Sequence, residues 1–137
     1  MNLKLQLVRD GEIVFEIPLS PPKEEIEELT GELDAFEEHI QRISEIFTAL
    51  SSRTRLMMMK RIMQEGGRTI NFTDFMRDLE LNPKLVWENT KKLREGGLVE
   101  KIGRGRYRCS EFGKSSFITI GFTLRRLIEE LEDFDNI

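Results

Sequence analysis

Cysteine and histidine are nearly missing from this chain: Cys109 and His39 are the only ones among 137 residues. One thiol builds no disulfide framework. One thiol and one imidazole fall short of the ligands a structural zinc site takes. Both are excluded within a single chain, and the composition fits a reducing, cytoplasmic compartment. No apolar run approaches the ~18 residues a membrane span needs. Met1 to Leu7 alternates polar and apolar residues, unlike the continuous apolar stretch of a secretory signal. Catalytic parts are also short: there is no Gly-rich phosphate loop and no Ser/His/Asp set. Glu24, Glu25, Glu27 and Glu28 read as the solvated face of a helix rather than as paired catalytic carboxylates. The sequence therefore reads as that of a non-enzyme without metal or other cofactor.

What is present is a core's worth of apolar residues, 39%, and 34% charged residues, on a length that suits one domain. The net charge of −4 hides a segregation. Residues 1–50 carry 4 basic and 12 acidic side chains, residues 51–110 carry 14 and 7, and residues 111–137 carry 3 and 6. A basic centre between acidic ends is the charge pattern of a nucleic-acid module flanked by assembly elements.

Residues 1–19 read as a β-hairpin. Placing its apolar faces together pairs Leu7 with Ile13, Leu5 with Phe15 and Leu3 with Ile17, around the loop Arg9-Asp10-Gly11. Ser20-Pro21 then opens a helix over 20–50 as cap and first-position proline. Along it Ile26, Leu29, Leu33, Phe36, Ile40, Ile43, Phe47 and Leu50 recur at alternating spacings of three and four, a heptad seam. Thr30-Gly31 either interrupts this helix or lies harmlessly off the seam. The seam pairs either within the subunit or between subunits, and a dimer interface, shared with the seam of the last helix, is the preferred expectation.

The segment 51–110 is punctuated by caps. Ser52 opens a helix whose inward face is read as Leu56, Met59, Ile62 and Met63, ending at Gly66-Gly67. An extended piece, Thr69-Ile70, precedes a helix capped by Asn71 with Asp74 at the third position. After the turn Glu80-Leu81-Asn82, Asn82-Pro83 opens a helix that stops at Gly96-Gly97. A second hairpin follows, with the tip Gly103-Arg104-Gly105. Ser110 caps a last helix over 111–137, where Phe117, Ile120, Leu124, Leu127, Leu131 and Phe134 form another seam, widened by Ile118, Phe122 and Ile128.

Two short helices joined by a three-residue turn, then a two-stranded wing with a basic tip, is the order of a winged helix-turn-helix. The expected fold is thus α+β, mainly α: a winged core, an N-terminal hairpin and long terminal dimerisation helices. On the helix 83–95, Val86, Thr90 and Leu93 point inward. Lys84, Glu88, Lys91 and Glu95 then point outward, with Trp87 and Lys92 on the margins. Lys84, Lys91 and Lys92 are candidates for phosphates. Asn89 and Glu88 are candidates for adenine and cytosine edges, although geometry puts Asn89 near the core edge. Trp87 either meets a thymine methyl or a sugar, or packs on the neighbouring helix or wing, and packing is the preferred expectation. Arg104, Arg106 and Arg108 are expected on backbone or minor groove, on one face if the strand begins at the tip.

The stretch Phe47-Thr48-Ala49-Leu50-Ser51-Ser52-Arg53-Thr54-Arg55-Leu56 resembles the opening segment of ArsR-type winged-helix repressors. Leu93-Arg94-Glu95-Gly96-Gly97-Leu98-Val99 resembles their passage into the wing, and Tyr107 and Gly113 match their wing strand and following helix. The resemblance spans about residues 45–115. It implies a homodimer assembled through terminal helices, with the recognition helix in the major groove of double-stranded DNA. Two departures stand out. Phe72 to Leu79 lacks the cysteines of the metal-sensing members, and Trp87 and Asn89 replace the Ser and His frequent there. The expected function is a dimeric repressor. The competing expectation is a winged-helix module that binds proteins of a transcription or chromatin assembly. The N-terminal hairpin joins the dimer interface or docks a partner, and no convergent polar set marks a small-molecule effector site.

Overall fold

The computed structural model describes the backbone of residues 3–19 and 26–135, with the side chains of Glu28 and of 133–135 outside the description. The structure is α+β. Where length alone favours one domain, the chain divides into two compact units, Met1–Gln41 and Arg42–Ile137.

In the first unit, β1 (Lys4–Arg9) and β2 (Glu12–Pro18) pair antiparallel. Asp10 and Gly11 carry φ of 51° and 84°, so the reversal is a two-residue turn with both centres left-handed. This corrects the expected three-residue loop and its register. Leu7 faces Phe15 and Leu5 faces Ile17, while a bulge beside Leu7 and Val8 brings Val8 opposite Ile13. The tight Asp-Gly turn sets the pairing, and the bulge leaves one extra residue on β2 between the Leu7–Phe15 and Val8–Ile13 pairs.

A 3-10 turn at Glu27–Leu29 leads into α1 (Thr30–Glu38), and α2 (Ile40–Leu50) follows after one residue. The helix expected over 20–50 is interrupted, though not at Thr30-Gly31, and its expected start at Ser20-Pro21 lies outside the described residues. Thr30 and Gly31 open α1; the break falls at His39 (φ −107°, ψ 10°). Its backbone N–H turns to Phe36 and Glu37 carbonyls, while the imidazole Nδ1 stands 3.1 Å from the Ala35 oxygen that a continuing helix would use. Of the seam, Ile26, Leu33, Phe36 and Ile40 are exposed and Leu29 is half-buried.

In the second unit, Ser52 Oγ accepts from the Arg55 N–H at 3.3 Å and starts α3 (Arg53–Met63). Its buried face is Met58, Met59 and Ile62; Leu56, expected inside, is 41% exposed. With three methionines in a row, the apolar pattern tolerates either rotation of the helix, and packing selects Met58. Next come β3 (Ile70–Asn71) and α4 (Phe72–Leu79), where the Asp74 carboxylate accepts from the Asn71 N–H at 2.9 Å. α5 (Pro83–Glu95) begins with Asn82 Oδ1 accepting from the Leu85 N–H at 2.9 Å. β4 (Val99–Gly103) and β5 (Arg106–Cys109) complete a three-stranded antiparallel sheet in the order β3-β5-β4. The expected extended piece at Thr69-Ile70 is thus the third strand, with Ile70 opposite Tyr107. Met58, Met59, Phe75, Val86, Leu93, Leu98 and Tyr107 close one core between α3, α4, α5 and this sheet.

Ser110 caps α6 (Glu111–Phe117), accepting from the Gly113 N–H at 2.8 Å. The seam expected to run on without interruption instead passes through a π-helical turn, Ile118–Phe122, before α7 (Thr123–Asp135). The wider turn re-phases the two ends of the helix. Phe117, expected at a subunit interface, is 8% exposed within its own core, its ring edge-on to Phe122 at 5.8 Å. Ile120 packs against the same core, while Ile118, Phe122, Leu124 and Ile128 are exposed. Phe134 falls outside the described side chains. Among the described residues no helix is long and apolar enough to cross a membrane.

Candidate nucleic-acid interface

Helix α5 is fixed from three sides. Its inner face seats Val86, Thr90 and Leu93 in the core, as their spacing predicts. Its far end is held by Arg42, whose Nη1 donates to the Gly96 carbonyl at 2.8 Å while the guanidinium lies 4.7 Å over the Phe112 ring. Its middle is held by Arg55, only 6% exposed. Arg55 donates from Nε to the Ala49 carbonyl (2.7 Å), from Nη2 to the Thr48 carbonyl (3.1 Å) and from Nη1 to Asn89 Oδ1 (2.9 Å). Burial lowers the guanidinium's pKa, yet arginine keeps its charge. The charge is balanced by carbonyls at the negative end of α2 and by one amide oxygen.

This arrangement removes Asn89 from the base-reading set. The side chain is 8% exposed, and its Nδ2 donates to the Leu85 carbonyl at 2.8 Å. Both ends of the amide are used inside the protein. Trp87, expected to pack, does the opposite: it is 57% exposed, with the Lys91 ammonium 5.2 Å from the ring centroid.

The remaining outward residues lie where helical spacing puts them. Lys84 and Glu88 stand 4.0 Å apart, and Lys91 and Glu95 3.9 Å apart. Such loose exposed pairs contribute a few tenths of a kcal/mol and release their lysines readily. Lys92 is exposed and makes no ion pair among the described residues.

In the hairpin, β5 begins at Arg106, so Arg104 sits in the turn and does not share the strand's alternation. Arg106 and Arg108 lie on the outer face, opposite buried Tyr107 and Cys109. The three arginines are not equivalent. Arg108 Nε donates to Glu100 Oε2 across the strands at 2.9 Å, whereas Arg104 and Arg106 have no ionic partner among the described residues. The tip is anchored to the body by the Phe72 N–H, which donates to the Gly105 carbonyl at 2.7 Å.

Two residues not singled out from sequence join this surface. Arg94 and Lys101 line a cleft of about 390 Å³ between α5 and the sheet, together with Trp87, Thr90, Lys91, Glu95 and Tyr107. Neither forms an ion pair among the described residues. Helical spacing from Trp87 and Lys91 to Arg94 carries the first; the alternation of Lys101 with buried Val99 on β4 carries the second. Arg61, Arg77, Arg125 and Arg126 are each held by carboxylates, whereas Arg9, Arg53, Lys60 and Arg68, away from this surface, also have no ion pair among the described residues.

Elsewhere, burial pushes the Cys109 thiol up to about 11, so it is protonated at neutral pH and is a poor metal ligand or nucleophile. Among the described residues no group of three or more His, Cys, Asp or Glu stands close enough to hold a metal ion. No family model and no characterised protein matches the sequence.

Proposed function

We propose that this protein is a winged helix-turn-helix transcription regulator similar to the ArsR type, which represses by occupying its operator as a homodimer in the cytoplasm. Helix α5 enters the major groove, and the β4–β5 wing follows the backbone or minor groove of double-stranded DNA. The observation that carries this reading is the set of unpaired cations Lys92, Arg94, Lys101, Arg104 and Arg106 on α5 and the wing. Leaving that many cations unpaired favours a polyanionic partner. The order β3-β5-β4 behind two helices joined by a three-residue turn supports the winged reading.

The variant Arg104→Ala/Arg106→Ala tests it. Both side chains are exposed, so the melting temperature stays within about 2 °C. DNA affinity drops about thirtyfold to 150-fold, since each of the two lost phosphate contacts accounts for about 1–1.5 kcal/mol. Unchanged affinity in a folded variant would favour a protein-docking module instead.

The homodimer rests on the exposed apolar side chains Ile118, Phe122, Leu124 and Ile128 along the C-terminal helices. Phe122 also lines an apolar groove of about 610 Å³ together with Leu56, Met57, Met63 and Phe117. A surface of this kind is uncommon on a monomer. Sedimentation at micromolar concentration is expected to return twice the 16.1 kDa chain mass. The variant Phe122→Glu/Ile128→Glu is expected to return that mass once and to lose most DNA affinity. A monomeric wild type contradicts the dimer.

A further inference from the structure

We propose that the cleft between α5 and the β4–β5 sheet seats the sugar–phosphate backbone of one DNA strand, with a deoxyribose against Trp87 and its phosphate held by Arg94 and Lys101. The inference rests on the DNA-binding reading and says which part of DNA this cleft takes.

An indole left 57% exposed forgoes a large burial gain, so a partner that covers it is favoured. The chemistry around it narrows the partner. One ring face carries the Lys91 ammonium at 5.2 Å, and that charge is partly met by Glu95, 3.9 Å away. Arg94 and Lys101 remain as net positive charge in the same cleft. A suitable occupant therefore has an apolar, C–H-rich face next to a single anion, which describes a deoxyribose and its phosphate.

A flipped or stacked base fits less well. The cleft's other aromatic, Tyr107, is 3% exposed and forms its ring contact with Phe75, so no second ring is presented to sandwich a base. The Thr90 hydroxyl is 2% exposed, and its one proton is shared between the Val86 and Trp87 carbonyls at 2.8 and 3.1 Å, so it offers a base edge no donor. A backbone contact also has a distinct signature: it adds affinity to every duplex alike.

Trp87 is the only tryptophan in the chain, so its emission reports this cleft alone. The full chain is titrated with fluorescein-labelled duplexes, one of random sequence and one from its own upstream region. Anisotropy of the label reports binding, and acrylamide quenching of Trp87 reports the cleft. Quenching is expected to fall several-fold at the same DNA concentration at which anisotropy saturates, on both duplexes. Full binding with Trp87 as quenchable as in the free protein overturns the proposal and leaves DNA binding standing. Absence of any anisotropy change at low salt overturns the DNA-binding reading itself.

Arg94→Gln and Lys101→Gln separate the anion from the sugar. Each is expected to shallow the log affinity–log salt slope by about one, equally for both duplexes. Trp87→Ala is expected to weaken both duplexes by a similar factor. A loss confined to the upstream duplex would mean that Trp87 reads a base, and overturns the backbone assignment.

Discussion

Gly113→Ala is expected to lower stability by at least about 3 kcal/mol and the melting temperature by about 10 °C. A Cβ built on Gly113 falls 1.9 Å from the Leu98 carbonyl oxygen, well inside contact distance. Neither side has room to yield. Leu98 is fully buried, its N–H donates to the Leu93 carbonyl at 3.0 Å, and its oxygen accepts from the Ser110 N–H at 3.1 Å. The Gly113 N–H is itself the donor to the Ser110 cap, and the Ser110 hydroxyl donates to the Gly97 carbonyl at 2.7 Å. A methyl group there must lift α6 off the start of β4 and break the cap, which alone costs about 1 kcal/mol. Gly31→Ala is the control. A Cβ there meets nothing within 4 Å, and alanine at a helical position is expected to be neutral or slightly stabilising. Thermal melts of the two variants measure the contrast; a Gly113→Ala protein as stable as wild type would contradict the close approach.

Arg55→Leu is expected to cost about 3 kcal/mol, read as a fall in the urea midpoint at constant m-value. The substitution keeps an apolar stem but deletes three donors at a 6% exposed site. It strands Asn89 Oδ1 and the carbonyls of Thr48 and Ala49 without their donor. Hydrogen bonds from a charged group contribute about 1.5–3 kcal/mol each, and partial solvation of the α2 end recovers some of the loss. Arg55→Lys is expected to be intermediate, because one ammonium cannot span three acceptors set out for a planar fork. Because Arg55 orients α5 through Asn89, DNA affinity is expected to fall in the Arg55→Lys protein even where it remains folded.

What the sequence made legible here follows from how local the chemistry is. Ser52, Asn71 with Asp74, Asn82-Pro83 and Ser110 each start a helix where expected, since a cap is a hydrogen bond within four residues. The second hairpin is marked by glycines around its tip. The failures are non-local or degenerate. Trp87 is exposed where packing was expected, and Asn89, placed near the core edge by spacing, is taken fully out of the base-reading set by Arg55, 34 residues earlier. No spacing rule on α5 reveals that. The π-helical turn leaves the seam spacing untouched, so no periodicity announces it, and it directly follows Phe117, which is buried in the core. In the first hairpin, matching like with like across the strands outweighed the Asp-Gly turn, which fixes the register. The cleft's Arg94 and Lys101 were visible as charges, but only the packing of α5 on β4 and β5 brings them beside Trp87.

The most direct test of the central claim is the affinity of the purified protein for duplex DNA as salt rises from about 50 to about 200 mM. Five cations on α5 and the β4–β5 hairpin, without an ion pair among the described residues, predict a log affinity–log salt slope of about −4 or steeper, with tighter retention on the upstream region than on random sequence. Absence of binding to either duplex at the lowest salt, or a slope near zero, would contradict it.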